Sequence, residues 1–210
     1  MKTIIICNGE ITDYEYCSRI ISSADYIICA DGGTKHAYKM GVNPDLIIGD
    51  FDSSNKVYLE YYKKLGIKFE KHPIEKDKSD SHICVLKALD FSDEIVLFGA
   101  TGSRLDHTLA NISLLKLGVD RGIKIYIADK QNEIFLIDKN ITISGKPGDF
   151  FSVIPLTQRV EGIFISGAKY DLEDAVMEIG DPYGTSNEFK EENVDIRIRN
   201  GYLLVIKSQD

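Results

Sequence analysis

The sequence predicts two domains: an α/β domain with a mostly parallel sheet over residues 1–138, then a smaller all-β sandwich over 139–210. Up to about residue 130, short continuous apolar runs alternate with helix-period segments, the mark of parallel strands covered on both faces. Near residue 133 the pattern changes to closely spaced strand-like runs. Turn clusters KPGD, SGAKYD, GDPYGTSN and RNG punctuate that stretch, as in a small sandwich or barrel.

In order, TIIIC (3–7) reads as a strand, 14–22 as a helix, and YIICA (26–30) as a strand. DGG follows, then a helical segment through Gly41 and the strand LIIGD (46–50). Residues 57–65 form an amphipathic helix ending at Gly66, and IKFEKH is a short strand. Residues 80–90 read as a helix, EIVLFG (94–99) as a strand, LDHTLANISLLKLG as a helix stopping at Gly118, and IKIYIAD (123–129) as the last strand of the series. EIFLI, ITIS, DFFSVIPL, GIFIS, AVMEI, DIRIR and YLLVI supply the β-domain.

Composition bounds the function. The chain is 43% hydrophobic, enough for a sizeable core, and no apolar run reaches the length of a membrane span. The start, MKTIIICNGE, lacks a signal-peptide core and cleavage site and reads as a first strand. A net charge of −8 argues against a duplex nucleic-acid binder. Cys7, Cys17, Cys29 and Cys84 form no CxxC pair, which predicts reduced, buried thiols in a cytoplasmic protein.

Acidic residues cluster just past the predicted strands: Asp31 in ADGG, Asp50 and Asp52 in GDFDS, and Asp77 and Asp80 in KDKSD. Ligands of open α/β sheets bind outside the carboxyl ends of the strands, where these loops emerge together. If the strand ran on through GDFDS, Asp50 and Asp52 would point to one side and share a cation; as a turn or cap the same residues are equally at home. Gly32 and Gly33 read either as a plain turn or as backbone amides open to phosphate or ribose. Ser79 or Asp80 is a candidate helix cap, and Asp80 also a metal ligand. In GATGSRLDH, Thr101 and Arg104 precede a helix, where a guanidinium clamps phosphate oxygens. Asp106, in the first turn, reads as a dipole-stabilising residue or as a substrate contact. Acids, glycines and an arginine at strand ends suit a magnesium-nucleotide site.

These segments, in this order and spacing, resemble the thiamin pyrophosphokinase family. The resemblance runs through ADGGTKHAYKMGVNPDLIIGDFDSS, EKDKSD and GATGSRLDHTLANISLL, and resumes at GAKYDLEDA, GTSNE and GYLLVI. It implies diphosphate transfer from ATP to thiamine, releasing AMP, by a homodimer with thiamine near the subunit interface. It implies that Asp50, Asp52 and Asp80 are the magnesium and catalytic carboxylates. Asp31, Arg104 and Asp106 then complete the nucleotide and thiamine site, with Gly32, Gly33, Asp77 and Thr101 beside the nucleotide. Ser186 and Asn187 match a thiamine-binding motif, and Tyr170 is the aromatic candidate for the thiazolium, since the chain has no tryptophan. Asp52, Asp80 and Asp106 all remain candidates for the proton acceptor. Ser79 stands where threonine is usual, Lys76 where some relatives carry glutamine, and Ser103 where glycine is common. The rival readings are a non-catalytic sensor, a metal-dependent phosphohydrolase and a structural protein whose acids only cap helices.

Overall fold

A computed structural model describes residues 1–51, 55–72, 78–181 and 183–209. The chain forms two compact units, Met1–Lys130 and Gln131–Asp210. The first is α/β and the second an antiparallel sandwich, as the two hydrophobic periods predict. The division falls ahead of the strand Asn132–Ile137 rather than near 138, because that strand pairs along its length with the last strand, Leu203–Ser208.

The first unit contains the strands β1 (Lys2–Ile6), β2 (Tyr26–Ala30), β3 (Leu46–Gly49), β4 (Lys68–Lys71), β5 (Glu94–Phe98) and β6 (Lys124–Ala128). Its helices are α1 (Tyr14–Ile21), α2 (Thr34–Met40), α3 (Lys56–Lys64), α4 (Asp80–Ala88) and α5 (Leu105–Arg121). The strands are parallel, in the order β6-β5-β1-β2-β3-β4. Ile4–Ile6, Leu46–Ile48 and Ile95–Phe98 are buried without alternation, since helices cover both faces. The edge strand β4 instead exposes Lys68 and Lys71, charges that discourage a further strand from pairing there. The chain lays down β1 to β4 in one direction and returns to place β5 and β6 on the other side of β1. The order reverses between β1 and β5, the kind of switch point beside which open α/β sheets form their ligand crevice.

Local chemistry sets the helix boundaries. Asp13 caps α1 through the Tyr16 amide at 2.9 Å, and Asn55 caps α3 through the Val57 amide at 2.9 Å. Ser79, not Asp80, caps α4, accepting from the His82 amide at 3.2 Å. Helix α5 runs past the stop expected at Gly118 to a left-handed cap at Gly122. Gly118 serves packing instead: a Cβ there would lie 2.5 Å from Ile125 Cγ1 and 2.6 Å from the Ile123 carbonyl oxygen, so α5 sits close on β6. Cys7, Cys17, Cys29 and Cys84 are free and buried, and burial pushes the Cys7 thiol up to about 11. Among the described residues no helix is long and apolar enough to cross a membrane.

The second unit contains β7 (Asn132–Ile137), β8 (Asn140–Ser144), β9 (Phe150–Pro155), β10 (Arg159–Ser166), β11 (Leu172–Glu178), β12 (Asn187–Glu188), β13 (Asn193–Arg197) and β14 (Leu203–Ser208). Antiparallel pairing places β12-β9-β14-β7 side by side, and β11-β10-β13-β8 form the second layer. In β13, buried Val194 and Ile196 alternate with exposed Asp195 and Arg197. Phe151 and Phe189 meet edge to face at 5.3 Å inside this unit.

Gly118→Ala should destabilise the protein by about 1–3 kcal/mol, because its methyl group meets main chain and a packed isoleucine. Gly122→Ala meets nothing within 4 Å and should cost only the left-handed conformation, about 1 kcal/mol. Urea midpoints of the two variants should fall in that order.

Candidate active site

A cleft of about 1010 Å³ opens in the first unit at the crevice between β1 and β5. The loop after β1, 7–11, forms one wall and the loop after β5, 99–104, another; Ala30 and Asp31 come from the end of β2, and Ser79–Ser81 from the start of α4. Main-chain bonds join the two loops: Cys7 N donates to Phe98 O at 2.8 Å, Gly9 N to Gly99 O at 2.7 Å and Glu10 N to Thr101 O at 2.9 Å. A Cβ on Gly9 would lie 2.3 Å from the Gly99 and Thr101 carbonyl oxygens, so the stitch requires glycine.

The predicted residues fall unevenly on this frame. Asp31, Asp80, Thr101 and Arg104 all line the cleft. Asp31 is buried, directly past β2, and its φ of 40° is a strained conformation for a residue with a side chain. It packs against Gly49, where a Cβ would come within 2.9 Å of its own Cβ. Asp50 follows Gly49 and is half-buried outside the cleft wall. Strand β3 ends at Gly49 and Phe51 has a φ of 65°, so the strand's alternation stops ahead of Phe51. Asp52, Lys76 and Asp77 lie outside the described residues.

Gly32 and Gly33 do not line the cleft. They allow close packing behind it: a Cβ on Gly33 would lie 2.0 Å from the Ile6 carbonyl oxygen, and one on Gly32 2.4 Å from the Asn8 side chain. Thr101 donates its hydroxyl to Asp129 at 2.9 Å, and Asn111 holds the Ala100 carbonyl at 2.8 Å, so both brace the loop. Arg104 and Asp106 pair through Nε and Oδ1 at 3.1 Å, both exposed. The Arg104 guanidinium holds the Asp106 carboxyl below the usual carboxylate range.

The cleft also draws on Asn8, Gly9, Lys35, His36 and Lys39, none of which the motifs singled out. His36 is buried; its Nε2 donates to the Gly9 carbonyl at 2.9 Å and its Nδ1 accepts from the Tyr14 hydroxyl at 2.8 Å. Burial pushes its pKa down to about 4, so it stays neutral and ties α2 to the loop after β1.

In the second unit, Tyr170 is exposed and Ser186 stands in a left-handed conformation with φ 57°. Asn187 is buried, and its amide accepts from Tyr170 N at 3.1 Å and donates to Tyr170 O at 2.8 Å. Its hydrogen-bonding groups clip the Tyr170 backbone.

The donor set near β2, β3 and α4 is carboxylate oxygen, which suits a hard cation such as magnesium. Among the described residues no three His, Cys, Asp or Glu side chains group to hold a metal alone. Magnesium needs no such cage: one or two carboxylates and substrate phosphates serve it.

Comparison with known proteins decides the family. Residues 17–127 match "Thiamin pyrophosphokinase, catalytic domain" and residues 137–203 match "Thiamin pyrophosphokinase, vitamin B1 binding domain". The chain belongs to the thiamin pyrophosphokinase family. A relative named thiamine pyrophosphokinase, from Bacillus subtilis, is 31% identical over 186 residues, covering 87% of each chain. The crystal structure of thiamine pyrophosphokinase from Bacillus subtilis superimposes with a TM-score of 0.89 at 28% identity over 100% of both chains. That of thiamin pyrophosphokinase from Geobacillus thermodenitrificans gives 0.88 at 28% identity, over 100% of this chain and 98% of the other. The expected fold and enzyme class, a diphosphotransferase, follow from this membership.

The buried, neutral His36 makes stability pH-dependent. Its folded pKa lies below the ordinary 6.5, so between pH 6.5 and about 4 the unfolded chain binds the proton first. The stability is complete above 6.5 and is lost as pH falls toward 4. Between pH 7 and pH 4.5, His36→Gln should lose roughly 2–3 kcal/mol less than the wild type, measured by urea denaturation at both values.

Proposed function

We infer that the protein is a thiamine diphosphokinase, transferring a diphosphate group from ATP to the hydroxyl of thiamine to give thiamine diphosphate and AMP. One observation carries this: the catalytic and vitamin-binding family matches fall in separate compact units of one chain, with the cleft in the first. In this reading the cleft takes ATP and the second unit takes thiamine. Tyr170 offers its ring to the thiazolium, Ser186 offers hydrogen bonds, and Asn187 holds Tyr170 in place.

Asp50, Asp52 and Asp80 would hold magnesium, with Asp31 and Asp77 close by. Bound there, the metal would withdraw charge from the phosphate oxygens under attack. Arg104 offers its planar fork to phosphate, an exchange of one anion for another, since its apo partner is Asp106. When Arg104 turns to phosphate, Asp106 loses its partner and becomes available to the acceptor. The primary hydroxyl of thiamine attacks the β-phosphorus as the bond to the α,β-bridging oxygen breaks. AMP leaves with that electron pair, and the hydroxyl proton passes to a cleft carboxylate. Asp106 is a weak acceptor while Arg104 holds it. Catalysis is chiefly positioning and charge neutralisation.

The working form in this reading is a cytoplasmic homodimer with thiamine near the subunit interface. The four buried, free thiols support a reducing compartment. Leu105 and Leu109, 71% and 66% exposed and one turn apart on α5, support a covered face beside Arg104.

Incubation with ATP, magnesium and thiamine should yield AMP and thiamine diphosphate in equal amounts. Thiamine-independent release of phosphate as the main reaction would instead identify a phosphohydrolase.

Removal of magnesium by chelation should abolish turnover, and magnesium should restore it. Asp50→Asn and Asp80→Asn should each lower turnover at limiting magnesium on the order of 100-fold while thermal midpoints hold. Near-normal turnover of a folded variant would remove that residue from the metal site.

A further inference from the structure

Two cations in the cleft, both within ADGGTKHAYKMG, carry no role so far. Lys35 and Lys39 lie one turn apart on α2 and both line the cleft. Lys35 is half-buried, and its Nζ donates to the Asn8 carbonyl at 3.1 Å. The Lys39 ammonium stands 5.7 Å above the Tyr14 ring. Among the described residues neither is in an ion pair, whereas Arg104 already has Asp106.

This arrangement is unfavourable as it stands. Like charges four residues apart on a helix repel, and a half-buried ammonium gives up hydration. Burial, then Lys39, lowers the Lys35 pKa below its ordinary value. His36 between them is neutral and offers no counter-charge. An anion entering the cleft relieves both costs, and Lys35 retains two of its three ammonium protons for it.

We propose that Lys35 and Lys39 form the phosphate subsite of the cleft, gripping the β- and γ-phosphates of the nucleoside triphosphate and, after transfer, the diphosphate of the product. The proposal rests on the nucleotide reading of the cleft and deepens it. Lysine suits the task because it is a point charge on a flexible stem, able to follow a group that changes partner. AMP, left with only its α-phosphate, loses these contacts and departs.

The test is titration calorimetry on the full chain, in magnesium and without thiamine, using ATP, AMP and inorganic triphosphate. A second series uses thiamine and thiamine diphosphate. Lys35→Gln should weaken ATP, triphosphate and thiamine diphosphate by about tenfold or more, with AMP and thiamine changed less than about threefold. Lys35→Arg should recover most of the loss, and Lys39→Gln, at an exposed position, should show the same selectivity with a smaller effect. Equal losses for ATP and AMP, or ATP affinity within about twofold of wild type in both glutamine variants, would overturn the subsite. Wild-type protein that binds triphosphate through these lysines yet shows no preference for ATP would uphold the subsite and sink the nucleotide reading.

Discussion

Three main-chain hydrogen bonds carry the pairing of β1 with β5 beyond the ends of both strands, at the place where the sheet reverses its order. Loops leaving neighbouring parallel strands at such a point run to opposite faces, and nothing in the sheet itself keeps them together. Here they are stitched, and the stitch tolerates no side chain at Gly9. The rest of the cleft is hung on it. The Gly9 carbonyl receives His36, the Asn8 carbonyl receives Lys35, and Thr101 is braced by Asp129. Rigid positioning suits a reaction in which the protein contributes geometry and charge more than covalent chemistry.

The architecture was legible in the sequence because burial on both faces leaves an unmistakable trace. Ile4–Ile6 and Leu46–Ile48 have no polar alternation to confuse them with surface strands. Glycine was harder, because its two uses look alike in a string of letters. Gly118 follows an apolar helical run and reads as a stop, yet its missing side chain lets α5 lie on Ile125. Gly32 and Gly33 read as a plain turn or as backbone open to phosphate, and neither reading shows that they fit closely against Ile6 and Asn8. Asn8, His36, Lys35 and Lys39 were illegible for another reason. Their importance depends on which loop faces which across the crevice, a fact of topology rather than of local sequence.

In the second unit the polar turn GTSNE contains a buried asparagine that substitutes for sheet hydrogen bonds. Asn187 gives an acceptor and a donor to the Tyr170 main chain, as a neighbouring strand would. An amide that fills both roles within the fold cannot be told from one awaiting a ligand by sequence alone. Here the amide is buried against the main chain, while Tyr170 is exposed and backed by this clip.

The sulfur chemistry of the first unit has a consequence for resilience. Cys7 sits on the cleft wall, where a reactive thiol would expose the enzyme to every electrophile small enough to enter. Its side chain is instead enclosed, with a pKa pushed up to about 11, so the nucleophilic thiolate is a vanishing fraction at neutral pH. Cys17, raised to about 12, and the fully enclosed Cys29 and Cys84 are no better targets. Enclosure and a scarce thiolate therefore leave peroxides and alkylating agents little to attack at these four positions.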